Sequence, residues 1–563
     1  MKKEKQYINI FIIFLFILVS LLMIIPLVRN GRINAYSDWT FHSARVQQIY
    51  LNLQRGNLLT FIATDVSQHT GVGTFLFYPY LFLYPWAIFK LVVSPVTAFY
   101  LWYASITLLT LIISYYSMMR FSKENYVQSL IFAFVYMLVP YRLYLGQVVL
   151  GEFIAATFLP LVFLGLYEIL WGDLKKWYLL SIGMSLLVYS HILSVYLSCQ
   201  VIALIFAGYL ILSKISIKRI KVLLYSAILT IFLSLPVVVL FITDFIGKGI
   251  ATTFTGIAIE PEFNSVIVDS FRNWNGFNIG LILMVTFIIG GVIVRKNKQL
   301  KYIYVLGVLL TIAATSVVPW YMFSNTILGK VQLTNRYFSF GDLFLAVIAS
   351  YGLSRLFDKK LDIVRKSILM FLISIGSVFI FYASSTWVLQ ETHTYNKELY
   401  LLLQPKKKNG VPKIPDRVQL DNNNYNYQFE YRSLTGSSDY YPIKAYDNQS
   451  KVDSILNQET YINGKRRKLI GRYNTNTIKY RISLKSKSRV DLPVIKYNHT
   501  EVYVNNNLIK NSRISDRGTI DLTLDKGMNN INIKYQPNFS FYTCVIISAI
   551  IWLLLFIYIV KVW

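Results

Sequence analysis

Charged residues and cysteine are scarce in this chain. Of its 563 residues only 15% are charged and two are cysteine, whereas 55% are apolar. This balance excludes a soluble globular protein and a disordered chain. Both cysteines, Cys199 and Cys544, lie inside apolar runs, which argues against a thiol metal site or a disulfide scaffold.

The apolar residues are gathered in runs near or above the ~20 residues that span a bilayer, which predicts a polytopic membrane protein. The first run, residues 7–28, is not followed by a small-residue cleavage site, so we expect an uncleaved first helix. Acidic residues are few as well: 28 Asp+Glu against 56 Lys+Arg give a formal net charge of +28. In a membrane chain this excess marks cytoplasmic loops and contacts with anionic lipid, and we predict no nucleic-acid partner.

Basic clusters recur between the apolar runs. They are Lys2–Lys5, Arg120–Lys123, Lys175–Lys176, Lys214–Lys221, Arg295–Lys301, Lys359–Arg365 and Lys561. If all are cytoplasmic, the spans between them come in pairs, such as 153–172 with 177–195 and 337–357 with 366–385. This predicts about twelve transmembrane helices with both termini in the cytoplasm. Residues 75–93 carry Pro79, Pro85 and a belt of Tyr and Trp. We predict that they form a juxtamembrane or re-entrant helix on the outer side.

This topology predicts three domains in the cell membrane. Residues 1–385 form a multi-pass domain whose first outer loop covers 29–94, residues 386–540 form an extracellular β-rich domain, and residues 541–563 form a last transmembrane helix. Four strands are predicted in the outer domain, separated by Asn-, Asp- and Gly-containing turns: Tyr480–Leu484, Glu501–Val504, Thr519–Leu524 and Asn530–Tyr535. The fold class is therefore all-α polytopic with a C-terminal extracytoplasmic β-sandwich-like domain.

The first outer loop holds a candidate site. In a helix, Asp38, His42 and Arg45 would lie at i, i+4 and i+7 on one face, so that an acid, an imidazole and a guanidinium point together at the membrane boundary. The alternative is that Asp38 only caps the helix.

Further charged residues lie beside later apolar runs. Arg142 and Glu152 both lie in the second outer loop, beside long apolar runs. Charges next to a span usually mark a site. The alternative is that these side chains snorkel to the lipid headgroups. Arg336 is placed to hold a phosphate at the outer leaflet, or to contact a lipid headgroup. His191 is read first as a hydrogen-bonded packing residue.

No Gly-rich phosphate loop, zinc-ligand spacing or nucleophile elbow occurs in the sequence. We predict no resident metal and no cofactor, and leave a divalent cation open. Without a nucleotide-binding domain, energy must come from a lipid-linked substrate or an ion gradient.

These motifs, taken in order, resemble known membrane families. The order of a first helix, an acidic loop, an aromatic juxtamembrane segment and further helices is similar to the GT-C superfamily of polyprenyl-phosphate-dependent glycosyltransferases. The short motifs resemble the bacterial membrane family labelled "6-pyruvoyl-tetrahydropterin synthase-related", and the C-terminal stretches resemble YfhO-like proteins. The motifs are Asp38-x-x-Phe41-His42-x-x-Arg45, Phe77-Tyr78-Pro79-Tyr80, Pro140-Tyr141-Arg142 with Gly151-Glu152, Ser190-His191, Gln332 with Arg336, and Leu524-Asp525-Lys526-Gly527 with Ile533-Lys534-Tyr535.

The resemblance implies an enzyme, a GT-C-type glycosyltransferase acting at the outer face. Its donor would be a polyprenyl-phosphate-linked sugar, and its acceptor an anionic cell-surface polymer or lipid. Asp38 and Glu152 would be the catalytic acids, with Arg142 and Arg336 on the donor phosphate and all four in one outward-facing cavity. The remaining candidates for substrate contact are His42, Arg45, His191 and Gln332. The alternatives are a lipid-linked saccharide flippase and a non-catalytic anchor for the β-domain.

Two basic runs in the outer domain are not explained by the positive-inside rule. Lys406–Lys408 and Lys465–Lys468 lie on the predicted outer side. Clustered cations attract anionic polymers, so we expect contact with a polyanionic acceptor such as a teichoic-acid polymer, or alternatively with anionic headgroups.

Overall fold

The structure is a computed structural model, and it describes residues 2–212, 216–251, 256–357, 363–385, 401–405, 411–433, 436–510 and 512–562. The chain forms two compact units. The first unit comprises Met1–Arg32, Phe99–Thr230 and Phe254–Asn396, and the second comprises Ile33–Ala98, Ile231–Thr253 and Lys397–Trp563. The second unit thus combines three stretches that are far apart in the sequence.

Helices make up most of the described chain up to residue 385. In chain order they are α1 Lys2–Asn30, α2 Trp39–Gln54, α3 Thr74–Phe77, α4 Tyr84–Phe89, α5 Pro95–Phe121, α6 Tyr126–Met137, α7 Pro140–Val148, α8 Leu150–Leu170, α9 Tyr178–Val188, α10 Ile192–Leu212, α11 Ile217–Leu233, α12 Leu235–Asp244, α13 Phe263–Arg272, α14 Gly280–Ile293, α15 Lys298–Ala313, α16 Phe338–Ser354, α17 Ile363–Ser384, α18 Gln449–Leu456 and α19 Phe539–Val562.

Strands are concentrated after residue 400. They are β1 Arg32–Tyr36, β2 Leu401–Leu402, β3 Arg417–Asp421, β4 Glu459–Ile462, β5 Lys465–Lys468, β6 Arg472–Asn474, β7 Thr477–Leu484, β8 Ser488–Ile495, β9 Thr500–Val504, β10 Asn507–Leu508, β11 Arg513–Ile514, β12 Thr519–Leu524 and β13 Gly527–Tyr535.

The predicted count of twelve spans is not confirmed. Among the described residues, seven helices are long and apolar enough to cross a membrane, and up to nine if each of two broken helix pairs counts as one span. Several predicted spans are shorter as helices than as apolar runs. The run 177–195, for example, is interrupted after the eleven residues of α9, whereas a straight crossing takes about 20 residues.

The aromatic segment at 75–93 does not form a span-length helix. It is divided between α3, of four residues, and α4, of six residues. Pro85 lies in the first turn of α4, where a missing N–H costs nothing. Helices this short cannot cross a bilayer, and whether the segment lies on the outer side stays a prediction.

Glycines allow α8 and α9 to pack closely in the first unit. A Cβ built on Gly165 of α8 would lie 2.2 Å from the backbone nitrogen of Leu180, and one on Gly183 of α9 would lie 2.8 Å from a methyl carbon of Val162. Small residues at such positions let transmembrane backbones approach each other. The contact fixes α8, whose first turn carries Glu152.

The second unit contains the β-sandwich that the sequence predicts. Two five-stranded sheets, in the orders β10-β9-β13-β7-β6 and β11-β12-β8-β4-β5, enclose one apolar core. All four predicted strands are confirmed, as parts of β7, β9, β12 and β13. Strand β8 was not predicted. It contains Pro493, which coincides with a shift in the β8–β12 register, as expected of a residue that cannot donate to a ladder.

A smaller sheet joins the segment after α1 to the later part of the second unit. Its order is β1-β3-β2, so the strand at 32–36 pairs with the strand at 417–421. Gln419 donates a hydrogen bond to Asn34 at 3.3 Å, and the Arg417 guanidinium lies 4.9 Å from the ring centre of Tyr36. The segment that starts α2 is therefore tied to residues nearly 400 positions later.

Candidate functional site

Asp38 occupies the position immediately before α2. Its carbonyl accepts the backbone hydrogen bond of His42 at 3.1 Å, and its side chain makes no capping hydrogen bond. The predicted helical spacing of Asp38, His42 and Arg45 is therefore present. The Asp38 side chain is half-buried, and it does not cap α2 as the alternative interpretation requires.

Arg45 is buried against the aromatic segment of the same unit. Nη2 donates to the carbonyls of Tyr78 and Pro79 at 2.7 and 2.8 Å, and Nη1 lies 3.4 Å from Nδ1 of His42. The guanidinium also lies 4.7 Å from the ring centre of Tyr78. Burial lowers the pKa of Arg45 to about 10, so it stays protonated at neutral pH. Its fork holds the Tyr78–Pro79 turn beside His42.

Asp439 is a second acid near Asp38 that sequence reasoning missed. It follows the turn at Gly436, and its carboxylate accepts a hydrogen bond from the Gly436 backbone. Gly436 has φ +84°, and a Cβ there would lie 2.1 Å from Cδ2 of Phe41, so the turn rests directly on the first turn of α2. Burial, followed by the negative charge of Asp38, raises the pKa of Asp439 to about 7. The Asp38 carboxylate is thus close enough to act electrostatically on Asp439.

The turn that carries Asp439 is held by the β-sandwich of the same unit. Tyr497 lies just after β8. Its hydroxyl donates to the Tyr440 carbonyl at 2.8 Å and accepts from the Gly73 N–H at 2.9 Å. The rings of Tyr440 and Phe77 lie 5.4 Å apart. One hydroxyl therefore links the sandwich, the turn and the segment that precedes α3.

The first unit contains a buried ion pair at the start of α8. Glu152 Oε1 accepts hydrogen bonds from the hydroxyls of Tyr141 at 2.9 Å and Ser339 at 3.0 Å. Its Oε2 lies 3.6 Å from Nε of Arg336, and the two side chains are only 4% and 9% exposed. Tyr141 of α7, Glu152 of α8 and the segment 336–339 thus meet around one carboxylate, although that segment lies more than 180 residues after Glu152.

Arg336 is held by its own turn but keeps one polar atom without a partner. Nη1 donates to the Val331 carbonyl at 2.7 Å and to Gln332 Oε1 at 3.3 Å. The adjacent Asn335 donates to the Tyr141 hydroxyl at 3.0 Å. Within the described residues, the buried Nε of Arg336 has no hydrogen-bond partner. A buried charged donor without an acceptor is costly, which makes this atom a candidate for contact with an anionic ligand.

Arg142 and His191 are engaged within the first unit. Arg142 Nη2 donates to Thr110 and Thr157 at 2.5 and 3.0 Å, and Nη1 donates to the Phe153 carbonyl at 3.1 Å. At 4% exposure Arg142 does not snorkel. His191 Nδ1 lies 2.9 Å from the Ser194 hydroxyl, in keeping with its packing interpretation. Arg336 also acts electrostatically on His191.

Asp342 is an acid inside a candidate span that the sequence analysis did not select. It lies in α16, one turn after Ser339, and is 2% exposed. Its Oδ1 has no hydrogen-bond partner among the described residues. Acids inside spans are costly and usually functional. The available signal was a single Asp in the apolar run 337–357.

The candidate residues are therefore divided between the two units. Asp38, His42 and Arg45 belong to the second unit, together with Asp439. The first unit brings Glu152, Arg336 and Gln332 together, places His191 within electrostatic range, and holds Arg142 in separate contacts. Among the described residues, no group of three or more His, Cys, Asp or Glu side chains could hold a metal ion.

The span-length apolar helices of the described chain define a multi-pass membrane protein. No protein-family model and no curated protein matches the sequence. Among solved structures, the fold is similar to the arabinofuranosyltransferase AftD from mycobacteria, with a TM-score of 0.44 and 12% identity over 73% of this chain. A mutant form of AftD gives a TM-score of 0.43 and 13% identity over 73% of this chain. The chain spans only 30% and 31% of those two chains. These comparisons do not show membership of the YfhO-like or the "6-pyruvoyl-tetrahydropterin synthase-related" family.

Proposed function

We propose that this protein is a membrane glycosyltransferase that moves a sugar from a polyprenyl-phosphate donor to a cell-surface polymer or lipid acceptor on the outer face. The observation that carries the proposal is the buried Arg336, whose Nε has no hydrogen-bond partner in the described chain although Glu152 Oε2 is 3.6 Å away. A phosphate oxygen is the acceptor that such a planar donor fork fits best. Glu152 compensates the charge of the buried guanidinium before the donor binds.

The transfer step needs a base for the acceptor and a cation for the leaving group. The acceptor hydroxyl oxygen attacks the anomeric carbon of the sugar, and the bond from that carbon to the phosphate oxygen breaks. Its electron pair leaves with the polyprenyl phosphate, where Arg336 stabilises the developing charge. The acceptor proton goes to a general base, the role that the resemblance to GT-C enzymes implies for Asp38.

Asp439 suits this assignment because the two carboxyls influence each other. Burial and the negative charge of Asp38 raise the pKa of Asp439 to about 7, so Asp439 gains and loses its proton near neutral pH and the charge beside Asp38 changes with it. We assign Asp38 as the base, and Asp439 as the neighbouring acid whose protonation changes the electrostatic field at Asp38.

The acceptor surface that we propose includes the exposed strand β5, Lys465–Lys468. It is the edge strand of its sheet, and all four side chains are exposed. Arg466 forms an ion pair with Glu459 at 2.8 Å, which leaves a net positive edge for an anionic polymer. Charged edge strands also prevent sheet-to-sheet association. The other basic run, Lys406–Lys408, lies outside the described residues.

One observation favours the alternative of a lipid-linked saccharide flippase. Asp342 is a buried acid within a candidate span, with an unpartnered oxygen in the described chain. Transporters use such residues as proton relays. A flippase would move the intact donor across the bilayer, whereas a transferase cleaves it, so the two functions are separable by product analysis.

The test uses purified protein in liposomes with a polyprenyl-phosphate sugar labelled in both sugar and phosphate. A transferase releases polyprenyl phosphate and moves the sugar label to the acceptor fraction. Arg336→Gln should reduce turnover by at least 100-fold, as for loss of a charge-stabilising donor. The control Arg272→Gln changes a guanidinium that is 57% exposed and should leave turnover intact. Label that crosses the bilayer uncleaved would contradict the transferase and support the flippase.

A further inference from the structure

The first unit contains a cavity of about 820 Å³ that the proposed chemistry does not use. Its walls come from α5, α8, α10, α15 and α16, and they are mostly apolar, with Phe163, Leu306 and Phe344 among them. Ligand-binding cavities commonly fall between about 300 and 1,000 Å³. The volume and lining suit an aliphatic chain.

The cavity runs along the second half of α8, whereas Glu152 lies in the first turn of that helix. Its lining residues on α8 extend from Pro160 to Tyr167, at a rise of about 12–22 Å from Glu152 along the helix. The loops at this end carry basic clusters such as Arg120–Lys123 and Lys175–Lys176, and by the positive-inside rule this end faces the cytoplasm. The cavity is therefore separate from the Glu152–Arg336 pair.

Aromatic side chains surround one side of the cavity. Trp171 packs on Tyr167, Tyr209 and Tyr302, with ring centres 6.3, 5.5 and 6.1 Å apart. Trp171, Tyr167 and Tyr302 line the cavity. Trp and Tyr are enriched where hydrocarbon meets the headgroups, so these rings mark the depth at which a lipid headgroup would lie.

Two cations line the cavity at the start of α15. Lys298 is its first residue and Lys301 lies one turn later, and both are exposed. A positive charge in the first turn of a helix is unfavourable to the helix dipole, so helix stability does not account for either lysine. A helix N-terminus flanked by lysines does favour a phosphate.

Acidic side chains do not cancel this charge. Among the described residues, none of the side chains that line the cavity is acidic. Glu168, near the end of α8, is paired with Arg120 at 2.8 Å and accepts the Asp173 N–H at 2.6 Å. Asp173 in turn lies 3.7 Å from Arg120. The electrostatic complement of the cavity is thus an anion.

We propose that this cavity binds an anionic glycerophospholipid of the cytoplasmic leaflet, with an acyl chain between α5, α8 and α16 and the phosphate on Lys298 and Lys301. The proposal does not depend on the transferase function. It gives the protein a preference for anionic lipid at a site remote from sugar transfer.

The experiment reconstitutes the full chain in vesicles of phosphatidylcholine that contain a minor fraction of phosphatidylglycerol with brominated acyl chains. Bromine quenches the fluorescence of nearby tryptophan. The part of the fluorescence that is lost in Trp171→Phe therefore reports on the cavity. Brominated phosphatidylglycerol should quench this component more than brominated phosphatidylcholine at equal fraction. Near-surface lysines contribute about fivefold each to binding of anionic lipid, so Lys298→Gln with Lys301→Gln should reduce the preference about 25-fold.

The matched control is Arg295→Gln with Lys296→Gln, which removes two exposed charges from the same cluster but none that line the cavity. It should keep most of the preference. Equal quenching by the two lipids, or equal losses in both double variants, would overturn the proposal. Displacement of the brominated phosphatidylglycerol by a small amount of polyprenyl phosphate would overturn it too, because the cavity would then be a donor-lipid site.

Discussion

Glu152 Oε2 and Arg336 Nε lie 3.6 Å apart, while each side chain is fixed by other hydrogen bonds. Neither group depends on the other for its position, but each buried charge depends on the other for its compensation. We therefore expect the two charges to contribute to the stability of the folded chain jointly.

The first prediction concerns this pair. Removing one partner of a buried ion pair typically costs about 3–5 kcal/mol, because the other charge is left uncompensated. We expect Arg336→Met and Glu152→Gln each to lower thermal stability in detergent. The double variant should lose less than the sum of the two single variants. Strict additivity would show that the two charges do not interact.

Asp38→Asn should abolish sugar transfer while expression and thermal stability stay unchanged. The amide keeps the size of the side chain but cannot accept the acceptor's proton, and loss of a general base typically costs about 10²–10⁴ in rate. Turnover of the doubly labelled donor is the measurement. Asp525→Asn, at a carboxyl that is 84% exposed, is the control. Near-wild-type turnover in Asp38→Asn would reduce Asp38 to a structural residue.

Asp439 should make stability depend on pH in a definite direction. Its folded-state pKa is about 7, raised by burial and by Asp38, whereas an unfolded Asp titrates near 4. Stability from this group is therefore fully present below about pH 4 and is lost as pH rises to about 7. Unfolding of wild type and Asp439→Asn from pH 4 to 8 measures the difference. If the two curves run parallel, the carboxyl is not perturbed.

Gly436 should tolerate substitution much less than Gly464. Both have positive φ, +84° and +76°, but a Cβ meets Phe41 at 2.1 Å in the first and nothing within 4 Å in the second. Both alanine variants carry the backbone cost of about 1 kcal/mol. Only Gly436→Ala should also displace the Asp439 turn and lower turnover. Equal effects on turnover would mean that contact with Phe41 does not position Asp439.

Local patterns predicted the local structure well. Alternation and turn residues located four strands of the sandwich, and the spacing of Asp38, His42 and Arg45 predicted the face of α2. Strand β8 was missed because Pro493 interrupts its pattern, and a register shift accommodates it. Apolar runs overestimated the helices, since a run such as 177–195 continues across a helix break at Tyr189–His191.

Pairings between distant residues could not be read from the sequence. Glu152 and Arg336 were predicted to share one cavity, but nothing in either motif indicates their direct contact at 3.6 Å. Asp439 was not selected at all. It lies in a stretch rich in Asn, Tyr and Ser that has no periodicity, and the turn that carries it is placed by long-range packing, including that of Gly436 on Phe41.

The distance along the chain between Asp38 and Asp439 has a consequence for biosynthesis. Ribosomes add about 5–20 residues per second, so the 401 residues that separate these positions (439 minus 38) take about 20–80 s to synthesise. During that interval the segment that carries Asp38 has already been synthesised, whereas the turn that completes the carboxyl pair does not yet exist. The pair therefore cannot form until residue 439 has been synthesised, and a chain that terminates before that point would lack it.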